Sequence, residues 1–177
     1  MRALDSTLVR EVWEALCAYA PEQSEAEARA FVSRQPHLVA LAQALTREFG
    51  RDVQKTALGL LFLLTKVVEA HREAPVPALA RGHVARAYEA AVAWVDRWDG
   101  AEPRFLERSG EFPQPHLVPY LLGAFYPEGA GPPEYEAEVK GSLFLLLASA
   151  ADALMNPVSP GGGEGEGEGE GASPEAR

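Results

Sequence analysis

The strongest constraint on the fold of this chain is a pentapeptide that occurs twice. Gln-Pro-His-Leu-Val fills residues 35–39 and returns at residues 114–118. A second match follows each copy in the same order, Gly-Leu-Leu-Phe-Leu-Leu at 59–64 and Gly-Ser-Leu-Phe-Leu-Leu at 141–146. Two collinear matches predict the duplication of one helical unit. Short leucine-rich matches also arise by chance in helical proteins, so a single sequence leaves both explanations open.

The spacing of apolar residues is helical throughout, and no alternating strand pattern is present. We therefore predict an all-α protein of about eight helices, arranged as two similar four-helix halves. The second helix is predicted to begin with a capping box at Ser24, and the third to begin at Pro36. The fourth and eighth helices, at about 52–72 and 134–155, are apolar around most of their circumference, which predicts a central position. A helical bundle and a short HEAT-like array of helix pairs are both compatible with this pattern.

The domain organisation follows from composition. Residues 1–156 are predicted to form a single all-helical domain, with halves at about 5–72 and 79–156, because 47% hydrophobic residues suffice for one core. Residues 157–177, where Gly and Glu alternate, offer little to bury and are predicted to be a disordered acidic tail. This tail is interpreted most simply as a solubility device, with bait for a basic partner as the alternative. We predict a monomer, since duplication can replace homodimerisation.

The charge of the chain excludes several classes of partner. The formal net charge is −10 at neutral pH. An acidic body argues against binding to nucleic acid and to anionic membrane surfaces, because both need clustered Lys and Arg.

The longest apolar run, at 57–64, is too short to span a bilayer. A single cysteine cannot form an internal disulfide, so we predict a cytoplasmic protein in which Cys17 is a buried structural thiol.

A search for reactive groups finds no established pattern. The four histidines and one cysteine lack zinc-ligand spacing, and no helix carries the Glu-x-x-His motif of di-iron bundles. Nucleophile-elbow and phosphate-loop motifs are also missing. We therefore predict no catalytic residue, no metal and no cofactor. Lys66 interrupts the apolar fourth helix, where its long stem can carry the charge out of a core.

Two functions remain. The first is a non-catalytic cytoplasmic protein that binds another protein as a scaffold, adaptor or immunity-type regulator, with a basic partner as one version. The alternative is a small-molecule-binding protein or enzyme with a pocket between the two helical halves. The candidate ligand-binding residues for that pocket are His37, His116, Trp94 and Trp98. A simpler interpretation of the two histidines is that each lies half exposed in the first turn of a helix.

Overall fold

The computed structural model describes residues 4–96 and 136–157. In this part of the chain all regular structure is helical, which confirms the predicted all-α class. The helices are α1 (Ser6–Cys17), α2 (Pro21–Arg34), α3 (Pro36–Leu45), α4 (Arg51–Arg72), α5 (Arg81–Val95) and α6 (Ala137–Met155). The predicted sixth and seventh helices, the second pentapeptide and nearly all of the acidic tail lie outside the described residues. The count of eight helices and the duplication therefore stay predictions.

The starts of the first three helices have simple local causes. The Asp5 carboxylate caps α1 by accepting a hydrogen bond from the Leu8 N–H at 3.0 Å. Pro21 and Pro36 occupy the first positions of α2 and α3, where a missing N–H costs nothing. The prediction for Pro36 is confirmed. The capping box at Ser24 is wrong, because α2 has already begun and the Ser24 N–H bonds to the Ala20 carbonyl.

The predicted burial of Cys17 is also wrong. Cys17 is exposed because it is the last residue of α1, beyond the turn that packs most closely on the core. The buried residues of this helix are Leu8 and Val9, near its start. The thiol therefore lies at a helix end that the rest of the described protein leaves accessible.

The hydrophobic core is centred on α4 and α6, the two helices predicted to be central. α4 packs against α1, α3 and α6, whereas α6 packs against α3, α4 and α5. The helical bundle and the HEAT-like array both stay predictions, because the helices predicted between α5 and α6 lie outside the described residues. The leucines in the middle of this core have no exposed surface: Leu61, Leu64, Leu146, Leu147 and Leu154.

A single glutamine connects the junction of α2 and α3 to the linker between α4 and α5. Gln35 is only 2% exposed, and its Nε2 donates to the Pro77 carbonyl at 2.8 Å. Its Oε1 accepts from the Leu79 N–H at 3.3 Å. Val76 and Leu79 of the linker are buried in the core. These contacts fix the start of α3 beside the start of α5.

The contacts between α5 and α6 show that these helices run antiparallel. His83 Nε2, in the first turn of α5, lies 3.1 Å from the carbonyl oxygen of Ala153, near the end of α6. Since a carbonyl only accepts, the imidazole donates through Nε2. Near the other end of α5, the Trp94 ring stacks on Phe144 with centroids 6.1 Å apart. Trp94 therefore contributes to packing between helices.

Candidate functional site

A groove of about 440 Å³ lies between α3 and α5. It is lined by three residues from α3, which belongs to the predicted first half, and four from α5, which belongs to the second. Their spacing of three or four positions places each set on one helix face. The lining residues are His37, Ala40 and Leu41 from α3, and Arg81, Val84, Ala85 and Tyr88 from α5.

The floor of the groove is apolar, and two of its side chains are alanines. Leu41 is half-buried and Val84 is buried, so both connect the groove to the core beneath it. Ala40 and Ala85 are exposed. Because alanine side chains extend so little, an incoming group can approach the backbone of both helices. This arrangement suits an apolar side chain or a short amphipathic segment.

One end of the groove is cationic. His37 is the second residue of α3 and Arg81 is the first residue of α5, so the two helices begin side by side. Neither helix carries an acidic residue in its first turn. Arg81 is exposed and makes no ion pair with any other residue in the described part of the chain. Among the described residues, the charge of Arg81 is therefore not paired, in a protein whose net charge is −10.

Helix capping adds to this local excess of positive charge. Ala80, at the N-cap of α5, has no side chain that can accept a hydrogen bond. Gln35, at the N-cap of α3, uses its amide on the linker instead of on the helix. In the described part of the chain, the partial positive charges of both helix starts thus have no hydrogen bond from the side chain of the N-cap residue.

The four residues predicted from the sequence meet different outcomes. His37 lies in the wall of the groove and is half-buried. Trp94 is partly buried against the core and stacks on Phe144, so the structure does not bring it to the groove. His116 and Trp98 lie outside the described residues. Sequence reasoning missed Arg81 and Tyr88 as lining residues, because the face that α5 turns toward α3 depends on how two distant helices are placed.

A second group of charged residues connects α2 to α4. Lys66 Nζ lies 2.7 Å from Glu27 Oε2 and 3.4 Å from Glu69 Oε2. Arg34 Nη1 lies 3.3 Å from Glu69 Oε1, which also accepts from the Val76 N–H. Two cations and two carboxylates therefore satisfy each other. This network stabilises the packing of α2 on α4 and offers no unpaired group to a ligand.

The pKa values of the network follow from these contacts. The hydrogen bond from Lys66 and its positive charge hold the pKa of Glu27 below its usual value, against a smaller opposing effect of burial. Burial lowers the pKa of Lys66, but the hydrogen bond to Glu27 and the charge of Glu69 outweigh it. The net pKa of Lys66 is therefore raised.

We expect Lys66→Met to change how stability depends on pH. The lowered pKa of Glu27 contributes stability above about pH 4.5 that is lost as the pH falls through its folded-state value. The raised pKa of Lys66 contributes stability below about pH 10.5 that is lost as the pH rises through its folded-state value. The substitution should cost about 1 kcal/mol at neutral pH after solvent screening, and the cost should shrink at both extremes.

Urea unfolding of wild type and variant between pH 3 and pH 11 measures this difference. Lys55→Met is the matched control, because the Lys55 side chain is 79% exposed and pairs only weakly with Asp52 at 3.9 Å. A cost for Lys66→Met that stays constant across the whole range would contradict the assigned charge pairs.

Comparison with known proteins gives no family and no relative: no protein-family model, no curated protein and no solved structure matches this chain. Within residues 4–96 and 136–157, no three His, Cys, Asp or Glu residues form a group that could hold a metal ion. None of the helices in that same part of the chain combines the length and apolar character needed to cross a membrane. The groove between α3 and α5 is thus the candidate functional site of the described chain.

Proposed function

We propose that this chain is a non-catalytic protein-interaction module and that its partner binds in the groove between α3 and α5. The observation that carries this proposal is the polarity of the groove, with an apolar floor at Ala40, Leu41 and Ala85 and polar groups at its ends. Protein interfaces share this pattern of an apolar centre and a polar rim. Grooves between two helices also accept an amphipathic segment along their length.

The chemistry of the lining supports binding over catalysis. Among the described residues that line the groove there is no carboxylate, serine, threonine or cysteine. His37 therefore has neither an acidic partner to orient it nor a nucleophile to activate within the groove. We keep the cytoplasm as the proposed location, because the single cysteine cannot form an internal disulfide.

A pair of substitutions that fills the groove tests this function. Ala40→Gln with Ala85→Gln places two longer polar side chains on the floor without changing the net charge. Both alanines are exposed and glutamine is a good helix former, so we expect stability to change by less than about 0.5 kcal/mol. Partner binding should weaken by about tenfold or more, because the apolar contacts of the interface centre are lost.

The measurement begins with affinity purification of tagged full-length protein, followed by titration of the purified partner. The matched control is Ala44→Gln with Ala93→Gln, two exposed alanines of the same helices that do not line the groove. Equal partner affinity for the groove variant and the control would rule out the groove as the contact surface.

A small-molecule-binding function is the second candidate, and the size of the groove favours it. A volume of about 440 Å³ falls within the range of known ligand pockets, roughly 300–1,000 Å³. The groove also lies between helices of the two predicted halves, with His37 in its wall. A thermal-shift screen against small molecules tests this candidate, and a genuine groove ligand should lose its shift in the Ala40→Gln and Ala85→Gln double variant.

A further inference from the structure

Resting on the proposed function, we propose that the groove binds an amphipathic polypeptide segment that carries a carboxylate. The carboxylate of this Asp or Glu contacts Arg81 and His37, and apolar side chains of the segment cover Leu41 and Val84. The partner is thus defined by its chemistry, as an acidic and apolar segment of a protein.

Arg81 and His37 give one end of the groove the donors that bind a carboxylate. A guanidinium presents a planar set of donors that matches a carboxylate, and the imidazole offers an N–H donor beside it. In the described part of the chain no carboxylate pairs with Arg81. Lys66 and Arg34 differ from Arg81, since they are already paired with Glu27 and Glu69. Arg81 therefore has charge available for a partner.

The polar and apolar groups of the groove follow each other along its length. Because α3 and α5 start together, His37 and Arg81 lie at one end and Tyr88 lies about two helical turns away, roughly 10 Å along α5. The apolar floor occupies the length between them. A helical partner would match this polarity with an acidic residue at one position and apolar residues three, four and seven positions away.

A basic segment fits the same groove poorly. Its Lys or Arg would face Arg81 across a short distance, and like charges in contact are unfavourable. Its apolar residues could still contact the apolar floor. The sign of the charge is therefore the property that distinguishes an acidic from a basic segment. The test therefore measures charge preference and groove dependence separately.

The experiment selects peptides from a random 12-residue phage-displayed library on the full-length protein. The same library is selected in parallel on Arg81→Gln, on the Ala40→Gln and Ala85→Gln groove variant, and on Arg86→Gln. Arg86 is the matched control, because it is an exposed arginine of α5 that does not line the groove. We expect Asp or Glu at one fixed position among peptides selected on wild type and on Arg86→Gln, and no such enrichment on Arg81→Gln.

A double-mutant cycle then measures the contact. One enriched peptide and its Glu→Gln or Asp→Asn version are titrated against wild type and Arg81→Gln by fluorescence anisotropy. Either change alone should weaken binding by about fivefold, and the two together should weaken it no further, because they remove the same charge pair.

The outcomes separate this inference from the function on which it rests. Peptides that need the groove but show neither acidic enrichment nor coupling to Arg81 would overturn the inference and leave the proposed function standing. A selection in which no peptide loses binding to the groove variant would overturn the proposed function, and the inference with it.

Discussion

Replacing Gln35 with Glu should lower the free energy of unfolding by about 3 kcal/mol or more at neutral pH. The carboxylate would be buried where the Gln35 Nε2 now donates to the Pro77 carbonyl at 2.8 Å. Two oxygen acceptors would then face each other, and a buried charge would replace a neutral hydrogen-bond donor. The bond from the Leu79 N–H to the other side-chain oxygen can persist, so the loss comes mainly from the Pro77 side.

Acid should restore part of the stability of this variant. A protonated carboxyl can donate to the Pro77 carbonyl, so the folded protein favours the neutral form and raises the pKa of the new Glu above its unfolded value near 4.3. A raised folded-state pKa means that the contribution is present at low pH and is lost as the pH rises. Urea unfolding at pH 4 and pH 7, expressed relative to wild type, measures the effect.

Two further variants control this prediction. Gln35→Ala removes both hydrogen bonds without adding a charge and should cost about 2–4 kcal/mol with little dependence on pH. Gln43→Glu makes the same chemical change at an exposed position of α3 and should be nearly neutral. Wild-type stability for Gln35→Glu at pH 7 would show that Gln35 does not bond to the linker in solution.

Local sequence patterns could predict the central helices, but they could not predict the groove, which depends on a long-range contact of Gln35. The helices at the centre of the core were predicted correctly, because apolar residues around a whole helix indicate burial whatever surrounds it. The groove could not be predicted in this way. His37 and Arg81 come together because Gln35 bonds to a linker more than 40 positions later in the chain, and no local periodicity encodes that contact.

The charged network around Lys66 could not be predicted either, because its members lie far apart in the sequence. The sequence identifies Lys66 as an unusual charge in an apolar helix, but its partner Glu27 lies on another helix, three residues after Ser24, where a capping box takes its acidic residue. Local rules placed that cap at Ser24, whereas Pro21 begins the helix one turn earlier and frees Glu27 for Lys66. Proline at the first helical position thus decides where α2 begins, whereas the pairing of Glu27 with Lys66 across two helices is the contact that the sequence could not predict.

Leu146→Ala should destabilise the protein by about 3–4 kcal/mol, because the Leu146 side chain has no exposed surface and the surrounding core cannot fully close the cavity. Leu64→Ala should cost a similar amount, since Leu64 occupies the matching position of the other repeat segment and is equally buried. Leu145→Ala is the matched control on α6, where partial exposure should limit the loss to about half.

The way in which Leu146→Ala unfolds tests whether the two predicted halves form one domain. α6 packs on α3 and α4 of the first half, so a cavity in α6 should weaken both halves in a single transition. Circular dichroism follows all helices, whereas the fluorescence of Trp94 and Trp98 in a Trp13→Phe background follows the second half. Both signals should shift together to lower urea concentration. If the fluorescence transition moved while most of the helical signal kept its wild-type midpoint, the halves would be separate folding units, because shared burial between α4 and α6 is what couples them.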